Sequence, residues 1–281
     1  MYGVLVVPPA GDAQKAANVL AELSGGTAYD QRQKLLRNLP FLAAWSEQSI
    51  VVQRGANALR EAGLQAWAIS RAALDLLPES IEVRSFSRFP GGLELVGRTE
   101  SYRLKYEDIG LVLPCRADSG QTVTTTTTTK KVGLAQMAMG IPIAKKTVEV
   151  EQQKQFDQSF FCLLWPRKVG NGGDLLFELQ AEGMDYAGLD GAKTASSTKN
   201  YMALLDLLRQ LAPSAWDARL ERAGGKLSPI GVPPRSSTDR VSSKLSITTS
   251  AAGWDNENAV VQCAHLLLLA AKVREARARQ P

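Results

Sequence analysis

The chain is poor in the residues that most enzymes use. Of its 281 residues one is a histidine, His265, and three are cysteines, Cys115, Cys162 and Cys263. His265 sits in an apolar stretch two residues after Cys263, and positions i and i+2 do not face one another on a helix. A packed core histidine is the expectation, which leaves the common catalytic triads and histidine-bound zinc enzymes without their key group. The cysteines lie far apart in apolar surroundings, with no CxxC and no Cys/His cluster. That pattern predicts buried thiols in a reducing compartment and no metal site. Neither a GxxxxGK[ST] loop nor a strand-GxGxxG-helix is present. The glycines of "GNGGD", Gly170–Asp174, lie between two strand patterns and read as a hairpin turn. Glu107, Asp108 and Asp185 fall at turns, where carboxylates are usually solvated, so no acid/base pair is assigned. No apolar run approaches the ~20 residues of a spanning helix. Tyr2–Val7 is too short for a signal peptide and follows no basic segment. The expectation is a cytoplasmic protein without cofactor or metal, and not an enzyme.

Charge excludes little. The net charge of +5 is scattered along the chain, so no nucleic-acid partner is expected. With 44% hydrophobic and 22% charged residues the chain has globular composition, enough for about two domains.

Residues 1–77 read as β-α-α-β-α-β. Tyr2–Val7 is a compact apolar run ended by Pro8-Pro9. A helix follows with Ala16, Val19, Leu20 and Leu23 on one face, stopped by Gly25-Gly26. Thr27 opens a second helix bearing Leu35, Leu36 and Leu39. Phe41–Trp45 is a short strand. Ser46 or Ser49 caps a third helix with Val52, Ala56 and Leu59 inward, and Leu64–Ile69 is the last strand. This order, with "GTAYDQRQKLLRNLP" feeding "ANALREAG", resembles the C-terminal domain of bacterial ribosomal stalk proteins. The protease adaptor ClpS has a similar fold. The likeness rests on Gly26, Leu35, Leu36, Pro40, Ala58, Leu59, Ala62 and Gly63. It implies a small module whose relatives bind proteins and do no chemistry. Stalk proteins contact translation factors around the second helix, which here is Thr27–Gln33, without lysine or a second glycine. ClpS relatives use polar residues after the first strand, where this chain has Pro8-Pro9-Ala10.

Residues 79–215 switch to strand periodicity. Ile81–Phe89, Leu93–Val96, Tyr102–Tyr106, Leu111–Cys115, Ser159–Trp165 and Leu175–Leu179 read as strands, and Met184–Leu189 as a short extra one. An amphipathic helix comes next, with Tyr201, Leu204, Leu205, Leu208 and Leu211 on one face. The stretch "YRLKYEDIGLVLP" resembles pleckstrin-homology and GRAM domains, which implies lipid-headgroup or protein binding. Arg84, Arg88 and Arg98 are spread out rather than clustered.

An insert of about 116–157 interrupts this second domain. Thr124–Thr129 is polar and β-branched, so it is expected to stay extended and mobile without building a core. After it comes "VGLAQMAMGIPIA", Val132–Ala144, uncharged and flanked by lysine pairs. Leu134, Met137, Met139 and Ile141 suit insertion into an anionic membrane surface, with Lys130, Lys131, Lys145 and Lys146 on headgroups. The same residues suit a protein groove, or burial on their own β domain. Trp216–Arg222 reads as continuing helical, and residues 216–254, rich in Ser, Thr, Gly and Pro from Gly224 to Gly253, are assigned to an exposed linker. Residues 255–281 read as a C-terminal helix, apolar nearly all round from Ala259 to Val273, which predicts burial either on its own domain or in a partner.

The fold class expected is α+β. The leading functional expectation is a non-enzymatic adaptor or scaffold whose partner is another protein or a second copy of the chain. The alternative is a peripheral protein on an anionic membrane surface, and the third reading is an enzyme of unrecognised type.

Overall fold

The N-terminal residues build three strands and three helices around a small core. Tyr2–Val7 (β1) is apolar throughout because it is the middle strand of its sheet. Phe41–Ser46 (β2) and Gln65–Ser70 (β3) flank it, both antiparallel, in the order β2-β1-β3. Helix α1, Ala13–Ser24, starts where Asp12 accepts hydrogen bonds from the amides of Gln14 and Lys15 at 2.9 and 3.0 Å. Helix α2, Ala28–Leu36, is capped by Thr27 as expected. Helix α3, Ser49–Glu61, is not capped by either serine: Gln48 holds the cap position without a side-chain bond. Val4, Val6, Leu20, Leu35, Val52, Ala56 and Leu59 meet in the core. A short helix, α4, Arg71–Asp75, comes after β3.

The computed structural model describes residues 1–8, 11–132, 144–167, 174–227, 230–242 and 245–279. The chain is α+β, and it closes with a helix. The single strand expected over Ile81–Phe89 is two: β4, Ser80–Glu82, and β5, Ser85–Phe89. β4 pairs parallel with β10, Leu176–Gln180, while β5 pairs antiparallel with β6, Gly92–Val96. Ile81 and Val83 alternate with polar residues and Ser85 breaks that alternation, at the point where the chain passes from one sheet to another. β7, Ser101–Lys105, completes the three-stranded sheet β5-β6-β7. Met184–Leu189 is not a strand; it supplies one bridge, at Asp185, and then a 3-10 turn over Ala187–Ala192.

The largest correction concerns the insert and the linker. The strand expected to end at Cys115 runs on as β8, Ile109–Val132, and the next, β9, is Ala144–Pro166. After β10 the chain forms helix α5, Ser197–Leu211, and a short helix α6, Arg219–Ala223. α6 overlaps the helical stretch expected over Trp216–Arg222, and the rest of the expected linker 216–254 holds two strands, β11, Ile230–Ser242, and β12, Leu245–Asp255. The larger sheet has the order β11-β12-β8-β9-β10-β4. Helix α7, Glu257–Ala278, begins two residues later than expected. Residues 170–173 of the expected glycine turn, Gly170–Asp174, lie outside the described residues; the strands on either side pair antiparallel.

The chain divides into two compact units. One comprises Met1–Arg116, Phe160–Leu227 and Asn258–Pro281, so the expected domain 1–77 and the parts of 79–215 on either side of its insert share a unit. It holds the N-terminal core and a second one, in which Phe86, Leu95, Leu104, Leu164, Phe177 and Tyr201 pack. The other unit is Ala117–Ser159 with Ser228–Glu257, which is the insert together with most of the expected linker.

Candidate functional site

The sequence pointed to the lysine-flanked insert. Leu134, Met137, Met139 and Ile141 lie outside the described residues. The backbones of Lys130 and Lys131 belong to the last residues of β8, and those of Lys145 and Lys146 to the first of β9; their side chains lie outside the description.

A ladder of paired strands leads to them. Thr124–Thr129 pairs residue by residue with β12, from Thr124 opposite Ser250 to Thr129 opposite Leu245. Threonine is suited to this place. Its branched Cβ restricts χ1 and favours the pleated backbone, while its hydroxyl tolerates water. None of the described side chains over 121–129, 148–159 and 247–255 is buried. A sheet lying on a core would show alternate burial; this ladder is wet on both faces. Val150 and Phe156 on β9 are 59% and 73% exposed. At one end Trp254 lies opposite Gly120, close enough that a Cβ there would come within 2.6 Å of the indole. Beside it the buried Asn256 accepts the amide of Asp118 at 2.8 Å and returns its own amide to the Asp118 carbonyl at 3.2 Å.

The ladder has two open edges. β10 covers β9 only at Phe161–Leu164, so among the described residues nothing pairs with the outer side of 144–159. β11 ends the sheet on the other side. Long unpaired edges present rows of N–H and C=O groups that accept another strand.

The first unit contains a separate, basic cleft of about 740 Å³. One wall is the outer face of α2. Tyr29, Gln33, Leu36 and Arg37 follow helical spacing, opposite the buried Gln31 and Leu35. Asn38, at φ 55°, ends this helix in the left-handed conformation, its amide donating to the Leu35 carbonyl at 3.0 Å. The other wall is α6 and the turn after it, with Arg219, Arg222, Ala223, Lys226 and Leu227. Arg219 is fixed. Its Nε donates to both oxygens of Asp217 at 2.9 and 3.0 Å, its Nη2 to Oδ2, and its Nη1 to the Pro8 carbonyl at 2.9 Å. Gly224 lets α6 close against β8: a Cβ there would stand 2.1 Å from the Arg116 carbonyl. No acid lines this cleft among the described residues.

A second cleft of about 300 Å³ lies between Trp165, Trp216 and α7. Arg274 lines it, its pKa lowered by burial and by Arg219, with Asp217 opposing. An Arg167–Glu275 pair at 3.4 Å crosses its rim.

The candidate chemical groups are quiet. Burial pushes the thiols of Cys115 and Cys162 well up, and both donate to backbone carbonyls. His265 is half-buried on α7, and burial, then Lys272, lowers its pKa. Among the described residues no three His, Cys, Asp or Glu side chains gather as metal ligands, and no helix is long and apolar enough to cross a membrane. No family model, curated protein or solved structure matches the chain.

The basic cleft went unread in the sequence because its two walls come from residues about 190 apart, and the second wall begins in the helical stretch Trp216–Arg222 and ends in the stretch that resembled a linker. A signal was present: Arg219, Arg222 and Lys226 stand at i, i+3 and i+7, one side of a helical turn.

Proposed function

We propose that this protein is a non-enzymatic scaffold that holds another protein chain by strand addition along the edges of the ladder. The carrying observation is that four strands pair through 117–132, 144–159 and 230–255 with both outer edges open and no described side chain buried over 121–129 or 148–159. A sheet of that kind gains little from its own side chains. Its remaining resource is backbone hydrogen bonding, and strand addition uses it. The quiet chemistry of His265 and the thiols fits a binding role. The adaptor-like order of residues 1–77 fits it as well.

The direction of the strands favours a second copy as the partner. β11 is antiparallel to β12, and β12 to β8, so β11 and β8 run the same way. β8 and β9 are neighbours joined by the 11 residues 133–143. Such a connection spans at most about 40 Å, too short to return along a strand of that length, so β9 runs opposite to β8. The two open edges thus run in opposite directions and meet as an antiparallel pair when copies stand side by side.

A photo-crosslinking residue at Gln153, exposed on the β9 edge, tests strand addition in cells that make the protein, with exposed Gln14 on α1 as the control. The expected result is an adduct of defined mass from position 153 and none from position 14. Equal yields from both positions would remove the reading.

A further inference from the structure

The cations of the basic cleft have more charge than the fold uses. Arg219 is neutralised by Asp217 and tied to Pro8, and it serves as a fixed floor. Arg37, Arg222 and Lys226 are exposed, line the same cleft, and have no carboxylate partner among the described residues. Several other cations of the unit do find acids: Arg84 and Arg98 share Glu82, Arg88 meets Asp190, and Lys193 meets Asp185. Like charges gathered without a counter-charge repel, and an anion relieves them. Beside them stand two apolar side chains that the fold leaves in water, Tyr29 at 70% and Leu36 at 62% exposure. The volume is that of a small-molecule site. α2 lines the cleft along its whole length, from Tyr29 to Arg37, and α6 is only five residues long, so the attraction for an anion rests on the side chains.

We infer that this cleft binds a small polyanion carrying a flat or apolar group, of the nucleoside polyphosphate class. Phosphate oxygens take the guanidinium forks of Arg37 and Arg222 and the ammonium of Lys226, and the base lies against Tyr29 and Leu36. The site is independent of the ladder, so either proposal stands if the other fails.

The test is calorimetric titration of the full chain with three probes: ATP, inorganic tripolyphosphate and adenosine. ATP is expected to bind most tightly, with an affinity that falls as salt rises. The double variant Arg222→Ala/Lys226→Ala removes two exposed side chains and is expected to keep the wild-type melting temperature while weakening ATP at least about tenfold. Tyr29→Ala is expected to weaken ATP and leave tripolyphosphate unchanged. Three results overturn the inference: no heat with ATP or tripolyphosphate, ATP binding that the double variant leaves intact, or tripolyphosphate binding as tightly as ATP with no effect of Tyr29→Ala.

Discussion

Tyr201 shows how single residues set the terms of this fold. It is 1% exposed in the second core of the first unit, on the buried face of α5. Its hydroxyl has no hydrogen-bond partner among the described residues, and burial drives its pKa far above the ordinary phenol range. A buried, unpaired hydroxyl costs about 1–3 kcal/mol. Tyr201→Phe keeps the ring and its packing and removes that cost. The expected outcome in chemical denaturation is a gain of about 1 kcal/mol with an unchanged slope. A loss of similar size would show that the hydroxyl is bonded. The residue before it is the opposite case. Asn200 is buried with its amide satisfied: it accepts from the Thr194 amide at 2.7 Å and hydroxyl at 2.9 Å, and donates to the Thr194 carbonyl at 2.8 Å. The spacing of Tyr201, Leu204, Leu205 and Leu208 made the apolar face of α5 legible in the sequence. Asn200 was not legible, because a buried polar side chain is explained by its partner and Thr194 is six residues away outside the helix.

At the scale of elements, apolar periodicity is the part of the fold that the sequence makes legible. All the elements of residues 1–77 expected from spacing are present, and α7 is buried through the five successive residues Leu267–Ala271, as its all-round apolar sequence requires. The threonine segment and its partner strand carry no such signal. Thr124–Thr129 and Thr248–Ser250 favour the strand backbone through β-branching and polar pairing, without a face to bury. Reading hydrophobic alternation alone therefore gave an insert and a linker where there are paired strands. This origin of stability is testable. Replacing Thr124–Thr129 by six alanines leaves size and polarity compatible with water and removes β-branching. Each change is expected to cost a few tenths of a kcal/mol, with a sum of about 1–3 kcal/mol confined to the ladder. Hydrogen exchange of backbone amides is the measurement. Amides over 245–250 are expected to lose protection while those of α5 keep theirs. Unchanged protection over 245–250 would show that side-chain branching does not hold the pairing.

At the scale of the whole molecule, the two units contrast in how they use their residues. The first gathers three separate stretches of chain around two apolar cores; the second is made of strands that meet water on both faces over the described residues. The strand directions then decide the form of any self-assembly. Pairing of β9 with β11 of a second copy is heterologous, so every addition leaves one β9 edge and one β11 edge open. Pairing of β9 with the partner's β9 about a two-fold axis is also antiparallel, but it consumes the edge and stops at a dimer. Sedimentation equilibrium from about 1 to about 100 μM separates these cases, since a micromolar seam becomes half occupied in that range. The expected outcome is a mass that rises past the dimer. A plateau at twice 30.4 kDa assigns the seam to β9 alone, and a monomer throughout assigns the edges to a different chain. Proline identifies the atoms involved. Amides along an edge strand point alternately inward and outward, so of Gln152→Pro and Gln153→Pro one breaks the ladder and the other only the seam. One variant is expected to melt earlier, and its neighbour to keep the wild-type melting temperature yet stay monomeric. Two variants that melt alike and assemble alike would place the assembly contact away from β9.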